Sequence, residues 1–210
     1  MKVFKGLFVL IILSVLGWAS TSHDNVIRTQ LEKTKAKGIL FGHQDDLAYG
    51  IGWKYVRGES DVRRVSGDYP ALFGWELGGL ELDQTHNLDS VPFDKMKDLA
   101  IMGHQMGGIN TFSWHPYAPE THESSWDKNA IIVKHILPGG DRHKAFIDQL
   151  DKVADFFSNL KDEQGHQVPF IFRPWHEMDG TWFWWGSNSC TAEEFKELFP
   201  YLELWDKETL

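Results

Sequence analysis

The sequence is poor in cysteine, and Cys190 is the single cysteine among its 210 residues. One thiol cannot form a disulfide within the chain, so the stability of the fold must come from its core. One cysteine also excludes the paired cysteine spacing of structural zinc sites. Internal repeats and low-complexity tracts are missing too, and 42% hydrophobic residues are typical of one globular domain.

Positive charge is also scarce. The 21 lysine and arginine residues are outnumbered by 30 acidic residues, which gives a formal net charge of -9 at pH 7. An acidic surface repels the phosphate backbone of nucleic acids and anionic lipid headgroups. We therefore expect neither nucleic acid nor a membrane as a partner of the mature chain.

The sequence has no hydrophobic run of membrane-spanning length, but a shorter run lies near its start. Residues 1–19 begin with two lysines, continue with an apolar run that ends at Trp18, and close with a small-residue pattern at Ala19. This order predicts a secretory signal peptide, with residues 20–210 as the exported domain in the periplasm, on the cell surface or in the medium. A retained membrane anchor is the alternative, which the short run and the lack of a stop-transfer pattern disfavour.

Short apolar segments alternate with helical patterns along the rest of the chain. Such alternation predicts a parallel sheet with crossover helices, and strands that are apolar throughout are typical of a sheet covered on both faces. Thr191 and Glu194 are placed as the capping box of the last helix. The predicted strands are residues 38–42, 70–75, 108–114 and 168–173, and the predicted helices are residues 24–37, 59–66, 92–106, 141–160 and 191–199.

Each predicted strand ends in polar residues, which favours a (β/α)8 barrel of the TIM type with about its first four βα units present. In such a barrel the carboxyl ends of the strands meet on one face, where the chemistry takes place. An open flavodoxin-like sheet is the main alternative, but it usually has a glycine-rich phosphate turn after its first strand, and residues 42–45 do not form one. The strand-end residues are His43, Gln44, Asp45, Glu76, His115, His176 and Glu177.

Aromatic residues are abundant, and four of the ten tryptophans lie between Trp175 and Trp185. An indole N–H needs a partner when it is buried, so tryptophan is demanding to place in a core. Flat apolar rings also stack on the C–H faces of sugars. The cluster therefore predicts either a large aromatic core or a sugar-binding groove, and we favour the groove.

Glu177 is the candidate general acid and base, because it follows the fourth strand beside His176 and among these indoles. Apolar rings around a carboxyl group exclude water and favour its protonated form, which can donate to a leaving-group oxygen. A structural ion pair with Arg173 is the alternative. His115 and His176 are candidates to bind sugar hydroxyls, and a core histidine with satisfied partners is the alternative for each.

Two other strand ends are less informative. Glu76 either faces the site or supports a loop. The polar residues after the first strand, His43 to Asp46, are consecutive in sequence. Metal ligands are normally spaced so that they converge, so we predict no metal ion and no other cofactor.

The run from Arg173 to Gly186, RPWHEMDGTWFWWG, resembles the acid/base signature of glycoside hydrolase family 26, whose members are chiefly endo-β-1,4-mannanases. Residues 41–46, 74–76 and 113–116 resemble the ends of that family's first three strands, in the same order. The resemblance covers about residues 24–199. It implies a (β/α)8 barrel, retaining hydrolysis of β-1,4-mannan and no metal ion.

The resemblance also implies roles for single residues. Glu177 takes the position of the acid/base residue. His115 and His176 take positions that contact the substrate near the cleaved sugar, and Trp182 takes an aromatic position in the groove. Trp114, which precedes His115 in the third motif, is a further expected substrate contact.

The chain departs from the family pattern in its last part. A retaining glycosidase needs a second carboxyl group about 5–5.5 Å from the first, and the family supplies it from a late strand. A barrel of this kind takes about 250 residues, so we expect a truncated family member, with Pro200 interrupting the last helix and an out-of-frame tail after Phe199 as one explanation. The later carboxylates are not assigned as the nucleophile, since most lie on or after the last predicted helix: Glu193, Glu194, Glu197, Glu203, Asp206 and Glu208.

The sequence therefore predicts an exported endo-β-mannanase in which Glu177 protonates the glycosidic oxygen and later activates water. The alternative from another class is a catalytically inactive fragment or mannan-binding module. A third alternative is a different β-glycan as substrate, such as a xylan or a mixed-linkage glucan.

Overall fold

The structure is a computed structural model that describes residues 22–119, 121–127 and 131–199. The predicted signal peptide at residues 1–19 and the predicted tail after Phe199 lie outside the described residues. Within these three described ranges, no helix is both long enough and apolar enough to cross a bilayer.

Strands and helices alternate along the described chain, and a short hairpin follows the first strand. Four of the strands form one parallel sheet, and their order across the sheet is also their order in the chain. The elements are α1 (Ser22–Lys35), β1 (Gly42–Gln44), the hairpin strands β2 (Tyr49–Gly50) and β3 (Trp53–Lys54), α2 (Asp61–Ser66), β4 (Leu72–Glu76), a 3-10 turn (Leu80–Leu82), α3 (Phe93–Gln105), β5 (Ile109–Trp114), α4 (Val133–Ile136), α5 (His143–Ser158), β6 (Phe170–Pro174) and α6 (Ala192–Leu198).

This sheet has the arrangement of consecutive βα units in a (β/α)8 barrel. Leu72 of β4 pairs with Gly42 on one side and with Ile109 on the other, and Phe112 of β5 pairs with Phe172 of β6. A flavodoxin-like sheet would place the first strand between two others. Among the described strands β1 pairs only with β4, so that alternative is wrong.

The predicted alternation is confirmed, but the first strand is displaced. Residues 38–42 were expected to form it, whereas the observed strand begins at Gly42 and ends at Gln44. Ile39 is 97% exposed, because the segment lies at the edge of the described sheet instead of being covered on both faces. The antiparallel hairpin of β2 and β3 was not expected from the sequence.

Aromatic side chains from the sheet and from α5 form the centre of the core. The ring of Phe112 in β5 makes edge-to-face contacts with Phe156, Phe157 and Phe170, with centroid distances of 5.9, 5.2 and 5.8 Å. Edge-to-face pairs of this kind add to the stabilisation that burial alone provides. They hold α5 against β5 and β6.

One polar network is enclosed between the sheet and α3. The Trp75 indole donates to Asn110 Oδ1 at 2.9 Å, and Asn110 Nδ2 donates to the Ala100 carbonyl oxygen at 2.9 Å. Each donor has a partner, so the buried polar groups do not carry the desolvation penalty of unpaired ones. The network links β4, β5 and α3, and thereby sets the positions of the strand ends that carry Glu76 and His115.

Candidate active site

Glu177 lies in the turn that follows β6, at the carboxyl end of the sheet. Its φ angle is 57° and that of Trp175 is 45°, in the left-handed region that side chains with a Cβ atom rarely adopt. Such a conformation persists only where the surroundings hold it. Here the buried Trp185 indole donates to the His176 carbonyl oxygen at 2.9 Å, which fixes the turn and the direction in which Glu177 leaves the strand.

The carboxylate of Glu177 is exposed and accepts a hydrogen bond from an indole. Trp182 Nε1 lies 2.9 Å from Glu177 Oε2, and Trp182 is 46% exposed. The expectation that several indoles enclose this carboxyl group is therefore wrong for the described structure. Arg173, the alternative ion-pair partner, instead donates from Nε to Thr111 Oγ1 at 3.1 Å.

The tryptophan cluster divides between groove and core. Trp175, Trp184 and Trp185 are fully buried. The Trp184 indole donates to the Pro116 carbonyl oxygen at 2.9 Å, which anchors the loop after β6 on the loop after β5. The core interpretation is therefore correct for three of the four indoles, and only Trp182 is accessible to a ligand.

Glu76 holds His115 at the end of β5. Nδ1 of His115 lies 2.8 Å from Glu76 Oε2, and the backbone N–H of His115 donates to Glu76 Oε1 at 2.8 Å. When Nδ1 carries the proton that this hydrogen bond needs, Nε2 of the neutral ring is left as an acceptor. The carboxylate thus sets both the orientation and the tautomer of the imidazole.

Glu76 is the strand-end residue whose role the sequence left open. It is 3% exposed and also accepts hydrogen bonds from the Gly78 N–H at 2.7 Å and from the Ser113 hydroxyl. Burial favours a raised pKa, but the hydrogen bonds and charge of His115, together with Ser113, leave the pKa of Glu76 below its ordinary value. Glu76 therefore supports the site, because its oxygens are engaged by protein donors.

Further rings surround His115. The His176 ring meets it edge-to-face with a centroid distance of 4.5 Å, and Trp126 stacks on it at 5.4 Å with an interplanar angle of 9°. Burial, followed by the charges of His115 and Arg173, lowers the pKa of His176 from its ordinary value of 6.5. Trp126 is 51% exposed. Sequence reasoning did not favour Trp126 as a groove residue, since only its residue type distinguishes it within a long loop.

Trp114 lies in the core instead of the groove. It is fully buried, its indole donates to Glu81 Oε2 at 3.0 Å, and its ring packs beside Trp175 and Phe172. An indole in this position does not reach a ligand at the carboxyl end of the sheet. The structure thus corrects the expectation that Trp114 contacts substrate.

Apart from Asp179, which lies in the same turn as Glu177, the carboxylates that follow Glu177 lie on α6 as far as the structure describes them. Thr191 and Glu194 form the predicted capping box, in which the Thr191 hydroxyl accepts from the Glu194 N–H and the Glu194 carboxylate accepts from the Thr191 N–H. Glu193 and Glu197 are on the same helix and exposed. The remaining candidates, Glu203, Asp206 and Glu208, lie outside the described residues.

Comparison with known proteins places this fold and site in a family. A parallel (β/α) sheet that presents a carboxyl group, histidines and an exposed indole at its carboxyl end has the layout of a carbohydrate-cleaving barrel. The sequence profile of glycosyl hydrolase family 26 matches residues 19–207. The chain belongs to glycosyl hydrolase family 26, and the family resemblance and the fold class inferred from the sequence are confirmed.

The relatives that it matches are longer proteins. A mannan endo-1,4-beta-mannosidase of Bifidobacterium adolescentis is 35% identical over 187 residues, which are 87% of this chain and 18% of the relative. One from Bacillus subtilis strain 168 is 29% identical over 199 residues, which are 92% of this chain and 50% of the relative. The structure of a GH26 beta-mannanase from Bacteroides ovatus superposes with a TM-score of 0.84 at 40% identity, over 90% of this chain and 56% of that one.

Proposed function

We propose that this chain carries the proton-donating part of a retaining endo-β-1,4-mannanase site, with Glu177 as the acid/base residue. The observation that supports this role most strongly is the placement of Glu177. It is exposed at the carboxyl end of β6 and accepts a hydrogen bond from the accessible Trp182 indole. In a retaining mechanism such a group first protonates the glycosidic oxygen and then activates the water that releases the product.

The proposed substrate is β-1,4-mannan. The similar proteins of Bifidobacterium adolescentis and Bacillus subtilis are both named mannan endo-1,4-beta-mannosidase. The accessible rings of Trp182 and Trp126 can stack on sugar rings, and the imidazoles of His115 and His176 can hydrogen-bond sugar hydroxyls. A neutral polysaccharide also suits a chain with a net charge of -9, because it meets no electrostatic repulsion.

A second candidate is a mannan-binding chain that does not hydrolyse its ligand. In the part of the chain that the structure describes, β6 is the last strand, so no carboxyl group from a later strand lies beside Glu177. A retaining mechanism requires a nucleophile close to the acid/base residue. Stacking rings and histidines without that nucleophile would still bind sugar.

The replacement Glu177→Gln separates these candidates. For the hydrolase we expect reducing sugar to be released from soluble β-mannan by the purified chain, and the rate to fall by about 10²–10⁴-fold in the variant. The exposed Glu193 on α6 offers a matched control, and Glu193→Gln should retain the rate. The melting temperature should not change in either variant, because both carboxylates are exposed.

The other outcomes are equally informative. Hydrolysis that persists in Glu177→Gln would contradict the acid/base role. Binding of mannan without turnover in the unaltered chain would support the second candidate. Turnover of xylan or mixed-linkage glucan but not of mannan would contradict the proposed substrate while leaving the chemistry intact.

We also propose that the protein is exported after residues 1–19 are removed as a signal peptide. The support is the order of basic, apolar and small residues in this segment. The family profile begins to match at residue 19, which is the last residue of the proposed signal.

A further inference from the structure

A second buried carboxyl group lies behind the site, in the 3-10 turn that follows β4. Glu81 is 1% exposed, and it lies five residues after Glu76, the carboxylate that orients the His115 ring. Its Oε2 accepts a hydrogen bond from the Trp114 indole at 3.0 Å, and its Oε1 accepts one from the Tyr117 N–H at 2.7 Å. One carboxylate therefore binds the chain on both sides of His115.

The turn that carries Glu81 is itself held in place. The Gly79 N–H donates to Glu81 Oε2 at 3.1 Å, and Lys152 of α5 donates from Nζ to the Glu81 carbonyl oxygen at 2.8 Å. Gly79 has a φ angle of 100°, in the region that favours glycine. Glu81 is thus a fixed point against which the loop after β5 is placed.

Glycine also lets the loops after β4 and β5 approach each other closely. A Cβ atom placed on Gly78 would lie 2.7 Å from the His115 carbonyl oxygen, which is shorter than real Cβ contacts. The backbone after β4 therefore passes directly against the backbone of His115. A displacement of one loop moves the other, because close-packed segments leave no free space to absorb it.

The segment held in this way contacts the other parts of the proposed site. Trp126 stacks on the His115 ring at 5.4 Å with an interplanar angle of 9°. The Trp184 indole, in the loop that carries Glu177, donates to the Pro116 carbonyl oxygen at 2.9 Å. A shift of this segment would therefore move the imidazole and the stacked indole relative to Glu177.

We propose that Glu81 is a positioning residue of the proposed mannan-binding site. By holding the residues on either side of His115, it fixes the backbone of His115 relative to Glu177, while Glu76 sets the orientation of the imidazole. The proposal deepens the proposed function and rests on it. A carboxylate suits this task because each of its two oxygens accepts a hydrogen bond, whereas an amide accepts on one side only.

The replacement Glu81→Gln keeps the shape of the side chain but turns one accepting oxygen into a donor. Affinity electrophoresis of the full chain in gels that contain β-mannan measures the effect on binding. We expect the variant to bind about tenfold more weakly, the effect of one lost hydrogen bond between His115 and a sugar hydroxyl. Glu123→Gln is the matched control, because it makes the same change at an exposed position in the loop after β5, and it should bind as the unaltered chain does.

Proton NMR of the His115 ring separates a positioning role from a merely stabilising one. The Trp126 ring lies parallel to this imidazole, so its ring current displaces the His115 Hε1 resonance, which is assigned by its absence from His115→Ala. At a temperature where circular dichroism shows a folded chain, the resonance should move in Glu81→Gln and stay in place in Glu123→Gln. A residue that only stabilises the fold would lower the melting temperature without moving it.

The outcomes are distinguishable. If Glu81→Gln is retarded by mannan as strongly as the unaltered chain, or if its His115 resonance does not move, the inference is overturned and the proposed function stands. If no β-glycan retards the unaltered chain, the proposed function falls and the inference falls with it. Should Glu81→Gln not fold, Trp114→Phe removes only the indole donor from the same carboxylate. Weaker retardation of that variant would support the inference, and equal retardation would overturn it.

Discussion

At the scale of single residues, the site depends on one buried carboxylate. Glu76 accepts hydrogen bonds from both the backbone and the ring of His115, from Ser113 and from Gly78. The hydrogen bonds that orient the imidazole are therefore the same ones that fasten the end of β4 to the end of β5. A change at Glu76 is therefore expected to affect both the orientation of the His115 imidazole and the stability of the fold.

The replacement Glu76→Gln should reveal this as a pH-dependent loss of stability. The pKa of Glu76 is lowered in the folded state from its ordinary value of 4.5. Its stabilising contribution is thus fully present above pH 4.5 and is lost as the pH falls through the folded-state pKa. We expect the variant to lose about 3 kcal/mol of unfolding free energy at pH 7, and the difference to shrink in urea titrations below pH 4.5.

Glu193→Gln is the matched control for this measurement, because it changes the same group at an exposed position on α6. Its unfolding free energy should stay within about 0.5 kcal/mol of the original. A loss in Glu76→Gln that stays constant from pH 7 down to pH 3 would contradict the charged role of Glu76.

The sequence located the ends of β4, β5 and β6 correctly but could not tell which indoles face the ligand. Trp182 and Trp184 are two positions apart and are the same residue type. The burial of Trp184 depends on the loop after β5, whose Pro116 carbonyl accepts from its indole. A contact between distant loops leaves no periodic signal.

At the scale of elements, α3 and β4 pack closely because glycine lies between them. A Cβ atom placed on Gly103 of α3 would lie 2.7 Å from Phe73 Cδ2 of β4. Real Cβ contacts are not that short. The aromatic ring therefore occupies the space that a side chain at residue 103 would fill.

The replacement Gly103→Ala should destabilise the protein. Overpacking costs about 1–3 kcal/mol, and the better helix propensity of alanine offsets about 1 kcal/mol of it. We expect a lower melting temperature by circular dichroism, which a second replacement, Phe73→Leu, should partly restore. Asp98→Ala in the same helix serves as the control. A melting temperature of Gly103→Ala equal to or above that of the unaltered chain would contradict the close contact.

The sequence predicted three of the four sheet strands to within two residues at each end, since alternating apolar segments and helices are a local signal. The first strand was displaced because Ile39 and Phe41 satisfy the apolar pattern, although both are exposed beside β1. Position within a sheet is not visible in periodicity. The hairpin of β2 and β3 depends on Asp61, which accepts hydrogen bonds from the Ile51 N–H at 2.6 Å and the Trp53 indole at 2.7 Å.

At the scale of the whole molecule, the chain combines a family 26 fold with an acidic composition and an N-terminal segment of different character. The family profile covers residues 19–207, and the chain spans 18% to 56% of the lengths of the three relatives described above. Fold class and family could be recognised from the sequence because ordered strand-end motifs are themselves local. The proposed removal of residues 1–19 is a processing step, which the strand-end motifs do not predict.

The proposed export predicts both the location of the protein and its first residue. When the gene product is made in a bacterium with a secretory pathway, we expect the protein in the periplasm or medium with Ser20 as its first residue, as measured by mass spectrometry. Leu13→Arg, which interrupts the apolar run, should keep it unprocessed in the cytoplasm. An unprocessed chain in the membrane fraction would support the alternative of a retained anchor.

The order of the four parallel strands has a consequence for how the protein is made. Because β1, β4, β5 and β6 lie side by side in the order in which they occur in the chain, each strand finds its earlier neighbour already synthesised when it leaves the ribosome. Each strand of the sheet can therefore pair with the preceding strand before the next one has been synthesised. Synthesis from the N-terminus can therefore build the sheet one βα unit at a time, and the loops that carry Glu76, His115 and Glu177 acquire their positions in that sequence.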